Sequence, residues 1–174
     1  MFDFLFNPQG RVSRKGFAIG FFLPWLVLTV ILPLVLPANA IVGLVTTLIG
    51  LFYLWPSFVA VPVKRWHDLG KTGWLQLVIP AIGIVGFVLM MIGMFQAYDG
   101  TPEAFGAEFE GITSNAGMYA VFWELIRPSP LAIFGTVLFF GYLIEFVVFC
   151  LIPGQQGPNE HGEDPHASGR GFAD

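Results

Sequence analysis

Charge is scarce in this chain: 11% of its 174 residues are Asp, Glu, Lys or Arg, against about a quarter in ordinary soluble domains. So few charges cannot cover a water-facing surface, which excludes a soluble globular domain. The charge that is present leans acidic, with 8 Lys and Arg against 12 Asp and Glu for a formal net charge of −4. That balance excludes a basic nucleic-acid surface. Cysteine is limited to Cys150, inside an apolar run, so an intrachain disulfide is excluded and redox compartment is not legible from cysteine. Histidine is nearly as sparse, with His67 on its own and His161 and His166 near the carboxyl terminus.

What the chain has is apolar length. Hydrophobic residues make up 55% of it and aromatics 16%, with a mean hydropathy of +0.72. Four apolar runs stand out, at about 17–36, 41–63, 74–95 and 131–152, each long enough to cross a hydrocarbon core that takes about 20 helical residues. Helices satisfy their backbone polar groups internally, as a bilayer demands. The predicted fold is therefore all-α: a polytopic membrane protein with a bundle of four transmembrane helices over residues 1–152 and a short interfacial helix. Pro24, Pro33, Pro56, Pro62 and Pro80 lie inside these runs; local adjustments and neighbouring helices can re-satisfy the carbonyls they free, so kinks are expected there. Arg11, Arg14 and Lys15 precede the first run, and Lys64, Arg65 and Lys71 join the second to the third. By the positive-inside rule both segments are cytoplasmic. The connection after the third run carries Asp99, Glu103, Glu108, Glu110 and Glu124 against one cation, Arg127, and belongs outside. Both termini are then cytoplasmic.

The start admits a competing reading, because a basic region, an apolar run and the "ANA" of residues 38–40 imitate a cleavable secretory signal. The run is about 20 residues, longer than the 7 to 15 of a signal core, so the first span is expected to stay. "MFDFLFNPQG" suits an interfacial anchor, and "RVSRKGF" suggests Arg11, Arg14 and Lys15 on one helical face toward anionic headgroups. In the outer connection, Met118 to Ile126 form an apolar stretch too short to span, expected at the interface. Residues 153–174 are rich in Gly and Pro and poor in apolar residues; they read as a flexible cytoplasmic tail without a packed core.

The stretch "HDLGKTGW", residues 67–74, is the one that invites a chemical reading. Its GKT ends like a phosphate-binding loop, but the position of the first glycine of that motif is Arg65 and a membrane helix precedes it. Spacing and context both fail. The His67–Asp68 pair lacks the further ligands of a metal site or a nucleophile. A tight helical hairpin accounts for the rest: Lys64 and Arg65 at a helix carboxyl end, Gly70 as a left-handed stop, Thr72 as a cap and Trp66 and Trp74 at belt depth. Asp68 is left over, and its expected role is a charge-assisted bond to Arg65 or to a basic residue of the amino-terminal segment.

Three motifs in order, "GRVSRKGF", "KRWHDLGKTGW" and "PGQQGPNEHGEDP", give a chain that resembles the domain of unknown function 805 family of bacterial inner-membrane proteins. The family pattern runs close to R-x-x-R, then R-R-x-H-D-x-G-x-S-G-W, then P-G-x-x-G-x-N-x-x-G-x-D-P. Matching positions are Arg11, Arg14, Arg65, His67, Asp68, Gly70, Gly73 and Trp74, with Gly157, Asn159, Gly162, Asp164 and Pro165 forming the tail motif. Lys64 stands where an arginine is usual, Thr72 for a serine, and Glu160 and His161 where a basic and an aromatic residue are common. The resemblance implies topology and an inner-membrane location, and it brings no reaction with it.

Glu145 lies inside the fourth run, about seven residues from its end, with Tyr142 and Gly141 on its face. An intramembrane carboxylate is a functional hypothesis by default; the structural alternative is a bond to Tyr142 or a salt bridge to a snorkelling cation, Lys64 or Arg14, and the salt bridge is the expectation carried forward. Gly83, Gly86 and Gly93 form a small-residue stripe suited to helix packing. Arg11, Arg14, Lys64, Arg65, His67, Asp68 and Glu145 are thus the candidate polar cluster. The expected role is non-enzymatic and without a cofactor: structural, accessory or regulatory. The expected partners are the lipid bilayer with its anionic headgroups and a membrane protein or a second copy of the chain. The alternative is an oligomeric transporter or channel for a small solute or ion, using Glu145.

Overall fold

A computed structural model describes residues 2–36, 39–98, 100–112, 114–165, 167 and 172–173. Asp99, His166 and part of the "ANA" stretch lie outside the described residues. A short helix α1 (Phe2–Phe6) and an extended pair β1 (Arg11–Val12) lead into the first long helix, α2 (Arg14–Val35). Long helices α3 (Ile41–Asp68) and α4 (Gly73–Ala97) follow, joined by a four-residue turn. Two short helices, α5 (Pro102–Ala107) and α6 (Asn115–Ile126), precede the last long one, α7 (Pro130–Leu151). α2, α3, α4 and α7 are each long and apolar enough to cross a membrane. The only strand pairing among the described residues is β1 with β2 (Phe172–Ala173), antiparallel, Arg11 opposite Ala173 and Val12 opposite Phe172.

Three prolines shape the first two spans through the turn that precedes each of them. Proline lacks an N–H and its ring crowds the carbonyl four residues back. Before Pro24, Pro33 and Pro62 the helix widens by one residue, so that Leu23 donates to Ala18 O, Leu32 to Val27 O and Val61 to Pro56 O, each five residues back. The wide turn admits the ring while keeping backbone donors paired, a local adjustment of the kind that lets proline persist in a membrane helix.

α4 and α7 cross closely on the glycines. A Cβ built on Gly86 would lie 2.5 Å from Phe139 N and 2.7 Å from Gly135 O, and one on Gly135 would lie 2.5 Å from Gly86 O and 2.8 Å from Met90 Cα. Only glycine lets these backbones meet. Gly93 repeats the contact against Ala132 and Ser129, whereas Gly83 is merely in ordinary contact with Phe139 O. α7 breaks at Phe140 (φ −87°, ψ 5°), which splits it into Pro130–Phe139 and Gly141–Leu151. The upper half packs on α4 and the lower half turns toward α2. There an aromatic core forms, with Phe17, Phe21 and Trp25 of α2 against Phe146 and Phe149 of α7, and Leu5, Val12, Tyr53 and Val61 closing it. Phe146 is met edge-on by Phe17, Phe21 and Trp25 at 5.4–5.6 Å, the favoured geometry for aromatic pairs. A second core at the other end joins Met90 and Met94 of α4 to Leu125, Ile126 and Ala132.

Candidate functional site

The site lies at the basic end of the bundle and is set by how α3 stops. Gly70 takes φ +66°, Gly70 N donates to His67 O at 3.0 Å and Lys71 N to Trp66 O at 2.9 Å, the two bonds of a glycine-terminated helix end. Thr72 Oγ1 then accepts from Trp74 N and starts α4. The second helix thus runs on past Val63, and Lys64, Arg65, Trp66, His67 and Asp68 are distributed around its last turns. Arg65 and Asp68, three apart, share a face.

Asp68 is fully buried and bridges two fully buried guanidinium groups, one oxygen to each. Oδ1 accepts from Arg11 Nη2 at 3.1 Å and from Arg11 Nε at 3.3 Å; Oδ2 accepts from Arg65 Nη1. The carboxylate therefore bonds both partners that the sequence offered it as alternatives. Two cations on one anion leave an excess positive charge inside the protein, and backbone carbonyls face it. Arg65 Nε donates to Phe149 O at 3.0 Å and Nη2 donates to Ile152 O, at the carboxyl end of α7, where a helix leaves carbonyls unpaired and its dipole is negative. Arg11 donates to Gln155 O at 2.5 Å, to Gly157 O at 2.6 Å and to Gly162 O at 3.4 Å.

For the described residues 154–164 these bonds correct the reading of 153–174 as a flexible tail. Gln155 N donates to Asp68 O at 2.7 Å, Asn159 Nδ2 donates to His67 O at 3.1 Å, and Gly154 packs so closely on the Asp68 carboxylate that an added Cβ would overlap it. The tail motif builds the loop that presents the carbonyls: Gly157 (φ +78°) and Gly162 (φ +136°) take conformations that other residues rarely adopt, Asp164 Oδ2 accepts from Gly157 N at 2.8 Å, and Asn159 and Gly162 pair through their backbones. Pro165 is buried beneath it. Arginine-to-carbonyl bonding holds the described part of this segment.

Arg14 and Lys64, both in the expected cluster, stand apart from this knot. Arg14 is exposed, and Arg11 does not share its helical face, because Arg11 is extended and α2 begins only after Ser13, whose Oγ caps Gly16 N at 3.1 Å. Lys64 points its ammonium at the end of α1, donating to Asp3 O at 2.9 Å and Phe4 O at 3.4 Å. His67 lies at the knot's edge, its Nδ1 3.1 Å from Gly10 O and its ring stacked on that of His161, centroids 3.9 Å apart and 7° from parallel.

The expected salt bridge of Glu145 to Lys64 or Arg14 is not made. Its Oε1 accepts from Trp66 Nε1 at 3.2 Å and its Oε2 from Gln76 Nε2 at 3.5 Å, while Trp66 Nε1 also reaches Gln76 Oε1 at 3.0 Å. The cause is helical phase. Trp66 faces α7, and Lys64, two residues earlier, points some 200° around the helix. Gln76, buried in the first turn of α4, is the site residue that sequence reasoning missed. Its signal was a lone amide in the apolar run "WLQLVIP". Among the described residues no group of three or more His, Cys, Asp and Glu is placed to hold a metal ion. The arrangement can join chain segments.

Fold and site together define a four-span helical membrane protein whose buried ion knot fastens β1 and the loop at residues 154–162 to one hairpin. The family model described as "Protein of unknown function (DUF805)" matches residues 5–107, more than half of the chain, and the chain belongs to that family. The match takes in β1 and the hairpin with Arg11, Arg65 and Asp68, and it ends before α7 and the tail motif. Comparison with curated proteins and with solved structures gives no match.

Proposed function

We propose that the chain is a non-enzymatic structural, accessory or regulatory protein of the bacterial inner membrane, with both termini on the cytoplasmic side. The observation that carries this reading is the use made of its buried charges. Arg11, Arg65 and Asp68 tie the amino-terminal segment, the α3–α4 hairpin, the end of α7 and the tail to one another. Buried ions of this kind stabilise little in net terms but specify one arrangement, a role suited to presenting a fixed polar face. Exposed Arg14, Lys15 and Lys71 surround it and suit anionic headgroups. Two clefts between the spans, of about 650 and 400 Å³, are lined by apolar side chains such as Met90, Phe122, Leu54 and Phe58, which supports packing over a water-filled path.

The partner of such a face is a membrane protein or a second copy of the chain. Extraction in native lipid discs followed by crosslinking and mass spectrometry tests this, with Lys71 and Lys15 as crosslinking positions. A recurrent membrane-protein partner or a homo-oligomer is the expected result. A pH-dependent flux in vesicles holding the purified chain, abolished by Glu145→Gln with the fold intact, would replace this reading with transport.

A further inference from the structure

The docked tail is latched by more than carbonyl bonds, and the other element is titratable. His67, at the end of α3, and His161, in the tail loop, lie face to face at 3.9 Å. The His67 ring is held at Nδ1 by Gly10 O at 3.1 Å; on the other side it is the His161 backbone that is held, its N donating to Asn159 Oδ1 at 2.9 Å, while Asn159 itself donates to His67 O. From the geometry we infer that this stack makes the tail an acid-released latch, closed while at most one of the two rings carries a proton and opened by the second.

The charges around the stack set the order of events. On the tail side Glu160 Oε1 lies 3.3 Å from His161 Nε2, so a single proton on the stack has a carboxylate beside it and the latch tolerates it. A second proton puts two cations face to face across 3.9 Å of stacked ring, with the single carboxylate of Glu160 left to serve both. The α3 side does not compensate it. Asp68, the adjacent residue, is already shared by Arg65 and by Arg11 of β1, Lys64 adds a cation on the same helix, and Lys71 is an exposed cation in the turn. In the tail, Asp164 accepts from Gly157 N and Glu163 is exposed. The closed form thus binds fewer protons than the open form, in which the rings separate and each can take its own. By linkage, lowering the pH through the histidine range drives opening, and the pair titrates in two coupled steps.

The test places spin labels at Lys71→Cys and Glu163→Cys in the full chain, with Cys150 replaced by alanine, in lipid nanodiscs. Distances are measured from about pH 8 to about pH 5, above the range in which exposed carboxylates titrate. The expected result is one short distance at the higher pH and an open fraction at least tenfold larger at the lower. His161→Phe keeps a ring in the stack and cannot take a proton, so it should stay closed throughout. A doubly labelled parent that stays closed at about pH 5, or a His161→Phe chain that opens at the parent's midpoint, overturns the inference. Should His161→Phe fail to dock at any pH, histidine ring resonances of the parent decide: opening that tracks the second protonation supports the latch, and opening that tracks the first or neither removes it.

Discussion

The two ends of the bundle are held by different physics. At the basic end, buried ions and captured carbonyls fix the chain: Asp68, Arg11 and Arg65 have no exposed side-chain surface, and their bonds reach residues more than fifty positions away. At the acidic end the charged pair is on the surface. Arg127 and Glu124 meet at 2.5 Å with both side chains 58% exposed, an ion pair of the kind that contributes little. What packs there are methionines, aromatic rings and a glycine crossing, with Phe105 against Phe95, Tyr98 and Phe109. The difference teaches that polarity is spent on specificity at one end, whereas close backbone approach does the joining at the other.

Removing the shared anion should break this comparison most severely. Asp68→Ala leaves two buried guanidinium groups facing each other and should lower stability by about 3 to 5 kcal/mol, read by denaturant titration in bicelles, and it should free residues 154–164 to proteolysis. The carbonyl bonds to Arg11 and Arg65 are what remain, so a loss below about 1 kcal/mol would mean that they suffice without the anion. The matching insult at the other end is Gly135→Leu. Its side chain would enter the Gly86 and Met90 backbone, and overpacking of this kind should cost about 1 to 3 kcal/mol, while the tail stays protected. Deprotection of the tail in that variant would show the two ends to be one cooperative unit.

Glu145→Gln ranks third. Because Glu145 is bonded to Trp66 and Gln76 and not to a cation, a neutral amide can keep accepting from Trp66, and the change should stay below about 1 kcal/mol. A loss of several kcal/mol would reinstate a charged partner. The smallest effect should come from Trp55→Phe, which removes the exposed bond from Nε1 to Phe6 O at 2.9 Å; about 0.5 kcal/mol is expected, by the same unfolding assay.

The long helices were legible in the sequence because apolar length is a direct reading of a bilayer's thickness. Their observed bounds differ from the expected ones chiefly at Lys64–Asp68, where the helix continues beyond the apolar run because its last turn is satisfied by side chains and the tail. Asp68 as an ion partner and Gly70 as a stop were legible too, since each residue type has few uses at such a position. The docking of the tail was not legible from composition, which measures apolar burial and is blind to a segment held by its own carbonyls. The clue was pairwise: two arginines in need of acceptors, and a loop whose Gly157, Asn159, Gly162 and Asp164 are turn formers at fixed spacing. The partners of Glu145 were not legible, because an isolated carboxylate in an apolar run points toward a cation, whereas Trp66 and Gln76 supply neutral donors from the hairpin that faces it.

The central claim is that Asp68 and Arg11 act as one unit joining hairpin and tail, and a double-mutant cycle tests it most directly. Asp68→Asn, Arg11→Gln and the double variant are compared with the parent for unfolding free energy in bicelles and for proteolytic protection of residues 154–164. The account requires a coupling energy of about 1 to 3 kcal/mol, the double variant losing clearly less than the two single losses added together. Losses that add within about 0.5 kcal/mol, with the tail still protected in all three variants, would contradict it.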